Sequence, residues 1–123
     1  MVLYVGMKNN FRLQVVFYKS AAGNEPVREW LKKLDKEDRR VIGGDIKTVQ
    51  LGWPLGMPLV RKLEKRLSEI RIQLDSRIAR ILFTVHTNIM VLLHGFIKKS
   101  QKLPARDLKI AKQRMTNIGG EDE

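Results

Sequence analysis

Cysteine is absent from the 123 residues, which removes disulfides, thiolate metal sites and a thiol nucleophile together. Long hydrophobic runs are missing too. The longest nearly apolar stretch, residues 89–97, is interrupted by His94 and falls far short of the roughly twenty residues a spanning helix needs. The opening MVLYVGMKNN lacks the basic start, the extended apolar stretch and the small-residue cleavage site of a secretory signal. The expectation is therefore a cytoplasmic protein with no membrane partner. No glycine-rich phosphate loop, no GxSxG and no HExxH occurs, so the common nucleotide, esterase and zincin signatures are excluded. Two histidines, His86 and His94, without cysteines or a nearby acidic cluster do not make a zinc site. What is present, 43% apolar and 30% charged residues, has globular proportions, on a length that suits one domain.

Acid is the other scarcity. Thirteen Asp+Glu stand against 24 Lys+Arg, a net charge of +11. Residues 98–114 contain Lys98, Lys99, Lys102, Arg106, Lys109, Lys112 and Arg114 but only Asp107 among acids, while Glu121, Asp122 and Glu123 close the chain. A field of this sign favours polyanionic partners: nucleic acid, ribosome or an acidic protein.

Periodicity orders the elements. Residues 1–10 read as an extension and 119–123 as an acidic tail, leaving a domain over 11–118. FRLQVVFY, residues 11–18, alternates with Phe11, Leu13, Val15 and Phe17 on one face, a strand. Asn24 is the expected cap of a helix carrying Val27, Trp30, Leu31 and Leu34 at i, i+3, i+4, i+7. Asp35 caps a second helix with Ile42, Ile46 and Val49 on its stripe, stopped by Gly52-Trp53-Pro54. Gly43-Gly44 inside it costs about 1 kcal/mol each relative to alanine, and close packing on a neighbour is the expected reason. Residues 54–68 are ambiguous: Leu59, Leu63 and Leu67 fall at helical spacing, while Pro54, Gly56 and Pro58 argue for a loop that docks those leucines. Strands follow over 69–74, 78–87 and 89–97, joined by connections short enough for antiparallel hairpins. A last helix starts near Pro104 and buries Leu108, Ala111, Met115 and Ile118. The expected class is α+β: strand, helix, helix, three-stranded antiparallel meander, helix, with the helices on one sheet face.

Strand alternation then sorts side chains by face. With Ile70, Ile72, Leu74, Ala79, Ile81, Phe83 and Val85 against the helices, Arg71 and Arg80 point away from them. In the third strand Ile89, Val91, Leu93 and Gly95 are expected inward, with His94, Phe96 and Lys98 outward. Arg71, Arg80, His94, Phe96 and Lys98 thus share one face, on which an RNA base can stack while phosphates meet cations. A bulge would break this assignment.

The segments FYKSAAGNEPVREWLKKL, GMPLVRKLEKRLSEIRIQ and RIARILFTVHTNIMVLLHGFIKKSQKLPARDLKIAKQRM resemble the RelE/HigB superfamily of toxins, and more narrowly its phage-derived, HigB-like branch. The resemblance covers roughly residues 14–117. It implies a compact RelE-like domain and a type II toxin that enters the ribosomal A site and cuts mRNA there. The implied partner is a helix-turn-helix, HigA-like antitoxin, with operator DNA reached only through the complex. The implied chemistry is metal-independent and cofactor-free: attack of the mRNA 2′-hydroxyl on the adjacent phosphodiester, giving a 2′,3′-cyclic phosphate. Arg71, in the Glu-Ile-Arg strand, and Arg80, in the Arg-Ile-Leu strand, match the expected phosphate-stabilising positions. Lys98 and Lys99 match the Lys-Lys pair after Gly-Phe. A lysine with its ordinary pKa near 10.4 is a poor base, whereas His94 has the better intrinsic value for proton transfer. Lys62, Lys65, Phe96 and Lys102 are the expected RNA contacts. Ser100 and Leu103 stand where the family commonly has threonine, and leucine before Pro104 removes a helix cap worth about 1 kcal/mol. Two rivals remain at this point: a non-catalytic RNA-, ribosome- or antitoxin-binding module, and a DNA-binding accessory or another enzyme on the same scaffold.

Overall fold

The computed structural model describes residues 13–98 and 103–118. Within them the chain runs β1 (Gln14–Phe17), α1 (Pro26–Lys32), α2 (Lys36–Gly52), β2 (Val60–Glu64), β3 (Leu67–Gln73), β4 (Ile78–His86), β5 (Ile89–Lys98) and α3 (Ala105–Asn117). The strands form one mixed sheet in the order β1-β5-β4-β3-β2. Only the β1–β5 pairing is parallel; the other three are antiparallel. The 1–10 extension, Phe11, the acidic tail, and the predicted site residues Lys99 and Lys102 lie outside the described residues.

One parity of the strands packs as the alternation predicts, although β3 and β4 are buried on both faces. Leu13, Val15 and Phe17 join Ile70, Ile72, Ala79, Ile81 and Phe83 in a core roofed by Val27 of α1 and Ile42 and Val49 of α2. Asp35 caps α2, accepting from the Asp38 amide at 2.9 Å. Gly95 has a clear packing reason: a Cβ there would meet the Trp30 ring at 2.5 Å, so only glycine lets the indole lie across β5.

Four expectations are corrected. The helices do not share one sheet face. Leu67, Leu82, Val91 and Leu93 build a second core with Ala111, Leu108 and Met115 of α3, on the side opposite α1 and α2. Apolar residues of both parities in the central strands demand cover on both faces. Residues 54–68 are not all loop, because β2 pairs with β3 and β3 begins at Leu67. Pro54, Gly56 and Pro58 end just before β2, and its alternation is hidden by Arg61, Lys62 and a register shift between Lys62 and Glu64. Helix α1 is preceded by Glu25, not Asn24, and has no side-chain cap; Asn24 instead closes a turn with Ser20. Gly43 and Gly44 are exposed and a Cβ on either would meet nothing within 4 Å, so no neighbour requires them. Pro104 precedes α3, again without a side-chain cap, as the leucine at 103 led one to expect.

Candidate functional site

The face under α3 is laid out in rows by strand register. Arg71 stands opposite Arg80, and Arg80 opposite Phe96. One row along lie Glu69, Leu82 and His94; on the other side lie Gln73, Ile78 and Lys98. The pairing shifts after Leu82, which faces His94 while Phe83 faces Leu92, so Leu93 is an extra residue on β5. This bulge corrects the inward assignment of Ile89, Val91 and Leu93. Met90 and Leu92 point to the α1–α2 core, and Val91 and Leu93 to the α3 core. Beyond the bulge His94, Phe96 and Lys98 lie on the same face as Arg71 and Arg80.

Two like charges directly opposite one another repel, and the sheet answers with Glu69. Its carboxylate, fully buried, lies 3.1 Å from Arg61 Nε and 3.5 Å from Nη1 of the equally buried Arg80. Burial, above all, presses the Arg80 guanidinium below its ordinary pKa; Glu69 opposes that, and Arg71 and Arg61 add to it. Arginine still carries its charge at any working pH. Arg71 is half-buried and reaches a cleft of about 300 Å³ with Pro58, Leu59, Gln73 and Ile78. Asp45 lines the same cleft, and burial raises its carboxyl pKa.

His94 sits where β5 meets α3. Its Nε2 is 2.6 Å from Asp107 Oδ1, and its ring stacks on Phe96 at 5.5 Å between centroids. Burial lowers its pKa, with Arg114 and Arg106 adding to the effect and the hydrogen bond to Asp107 opposing it. At neutral pH the imidazole is therefore uncharged. An ionised carboxylate only accepts, so Nε2 carries the proton and donates, leaving Nδ1 with its lone pair. The geometry is a histidine oriented by an acid, as proton-transfer sites require. One side of Phe96 is thereby occupied.

Lys62 and Lys65 fall elsewhere. Both are exposed and line a separate cavity of about 540 Å³ beside Trp53, Leu55, Val60 and Val85, which belong to or pack against the α1–α2 core. Edge strand β2 lies between this cavity and the Arg71–Arg80 row, with its Arg61 lining the cavity and reaching Glu69. Sequence reasoning missed Glu69, Arg61, Asp107 and Arg114. Glu69 was within reach, being two residues from Arg71 and thus on its face. Asp107 was the lone acid in a basic run. Among the described residues no three His, Asp or Glu side chains cluster as a metal site would need, and no helix is long and apolar enough to cross a membrane.

Residues 29–116 match the family model described as phage-derived protein Gp49-like (DUF891). The chain belongs to the Gp49-like family. The match runs from within α1 to the end of α3 and so contains the entire Arg71–Arg80–Phe96 row, His94 and Asp107. This Gp49-like family is associated with the toxins of toxin–antitoxin pairs. A search of curated proteins returned no match.

Proposed function

We propose that this Gp49-like chain is the toxin of a type II toxin–antitoxin pair, of the RelE/HigB kind, and that it cleaves mRNA in the ribosomal A site. The observation that carries the reading is one sheet face holding Arg71, Arg80, Phe96 and Lys98 beside a neutral, acid-oriented His94. Cleavage forms the O2′–P bond and breaks the P–O5′ bond. The 2′-hydroxyl gives its proton to a base, the 5′-oxygen takes one from water, and a 2′,3′-cyclic phosphate remains. His94 Nδ1 is the base in this account. Arg71 and Lys98 neutralise the phosphorane, the step in which fixed cations contribute most. Arg80 acts through its neighbours: held by Glu69, it keeps the field at Arg71 positive. Lys99 and Lys102 extend the phosphate contacts, and Phe96 offers its remaining side to a base. Lys62 and Lys65, at the cavity beside β2, steer ribosomal RNA at most. A helix-turn-helix antitoxin is the expected partner, and operator DNA is reached through that complex.

The test is in vitro translation of a reporter with purified protein, followed by mapping of the message ends. The reading expects cuts within translated codons carrying cyclic phosphate ends, slowed by about 10²–10³-fold in Arg71→Ala. Intact message with the wild-type protein would refute it. The full burial of Arg80 against Glu69 favours one alternative, a binder of RNA or ribosomes without cleavage. That alternative predicts salt-sensitive ribosome binding with the message left whole.

A further inference from the structure

The 540 Å³ cavity beside β2 shares only Arg61, the partner of Glu69, with the site described above. Its floor is apolar, made by Trp53, Leu55, Val60 and Val85, with Met57 at the edge. Met57 is 62% exposed, a flexible, polarisable side chain of the type that adapts to partner surfaces. Trp53 is fixed from beneath by an edge contact with Phe83, ring centroids 5.6 Å apart, so the floor is preformed. Along the rim the β2–β3 hairpin sets the exposed Lys62 and Lys65, with Arg61 and Arg66 alongside, and no acidic residue lines the cavity. Volumes of this size accept several apolar side chains.

We propose that this cavity is a docking site for an acidic amphipathic helix of a protein partner. Apolar side chains at i, i+3/i+4 and i+7 fill the space over Trp53, Leu55 and Val60, and carboxylates on the helix flanks meet Lys62 and Lys65. Helix-in-groove recognition has this division of labour, with anchors for affinity and charge for register and partner choice. A single-stranded nucleic acid fits less well: its phosphates suit the rim, but its bases call for stacking faces, and the floor is mostly aliphatic. The inference rests on the cavity alone and stands apart from the cleavage reading.

Selection of a random peptide library on the full-length protein tests it, with Met57→Asp and the double variant Lys62→Glu/Lys65→Glu in parallel. Thermal melting first establishes that both exposed-site variants are folded. The expected result is enrichment of peptides that combine Asp or Glu with Leu, Ile, Phe or Met at helical spacing. Their affinity should fall about tenfold or more in each variant, as for loss of a central anchor or of complementary charge. No enrichment, enrichment of basic peptides, or affinities unchanged by both variants would each overturn the proposal. So would a short single-stranded RNA whose binding is lost in Met57→Asp while no peptide is enriched, which would make the cavity an RNA surface.

Discussion

Arg71 and Arg80 face each other across two strands, yet their substitutions have different consequences. Arg80 is fully buried with Glu69 as its ion partner. Arg80→Ala leaves that carboxylate in the interior with one of its cations gone, and breaking a buried pair costs about 3–5 kcal/mol. Against a total stability of about 5–15 kcal/mol for a domain, that is a folding defect, and urea unfolding should show it directly. Arg71 is half-exposed, so Arg71→Ala should unfold within about 1 kcal/mol of the wild type and still lose activity. Toxicity lost in Arg80→Ala alone would say nothing of the site. Gly43 and Gly44 offer an opposite prediction. Both are exposed helix positions with open space where a Cβ would stand, so Gly43→Ala and Gly44→Ala should each raise stability by about 0.5–1 kcal/mol in the same measurement. A loss would reveal a contact that the fold does not show.

Helix α3 is held to the sheet by polar contacts at both ends of its buried stripe. Arg114 donates to the carbonyl of Leu93, the bulge residue of β5, at 2.7 Å. Arg114→Met keeps the length of the side chain, and it should cost about 1.5–3 kcal/mol because a hydrogen bond from a charged donor to a part-buried carbonyl is lost. At the other end lies the His94–Asp107 contact. Burial holds the His94 pKa below its ordinary value, so near and below pH 6.5 the unfolded chain binds a proton that the folded chain resists. His94 thus leaves stability undiminished above its unfolded pKa and withdraws stability as pH falls from there towards the folded value. Replacing it, as in His94→Asn, should flatten the loss of stability between pH 7 and pH 5 in a series of denaturant melts. An unchanged slope would mean that His94 is not the titrating group.

The same elements show what was legible in the sequence. Alternation put Arg71 and Arg80 together on the face opposite the α1–α2 core, because the β3–β4 pairing is unbroken, but it left that face open where α3 covers it and Arg80 is fully buried. It failed over residues 89–93 because a bulge inserts one residue, and Leu93 is chemically no different from its neighbours. The cover of α3 on the second face was readable in principle from Leu67 and Leu82. The opposite parity already makes a full core, which masks that signal. Strand β2 was hidden by its charges, since an edge strand needs only Val60 and Leu63 to hold it. Ion-pair partners 8 or 13 residues apart, such as Arg61 with Glu69 and His94 with Asp107, follow from tertiary register, which composition does not encode.

At the scale of the molecule, two differently built surfaces lie on either side of edge strand β2. The α3 side carries the buried Arg80, the half-buried Arg71, a neutral histidine and Lys98. The other side carries an apolar cavity rimmed by lysines. A net charge of +11 draws polyanions to either, so affinity for RNA alone does not locate the site. If five phosphates of a single strand are neutralised, the log–log dependence of binding on salt should have a slope of roughly −3.5. Filter binding across salt concentrations measures it, and a slope near zero would remove RNA from the account. The most direct test of the central claim is cleavage of a defined mRNA with and without ribosomes by the wild type, by Arg71→Ala and by Lys62→Ala/Lys65→Ala. The account predicts ribosome-dependent cuts that slow by about 10²–10³-fold in Arg71→Ala and persist in the lysine variant. Cuts that survive Arg71→Ala and vanish with the two lysines would place the chemistry at the cavity beside β2 and contradict it.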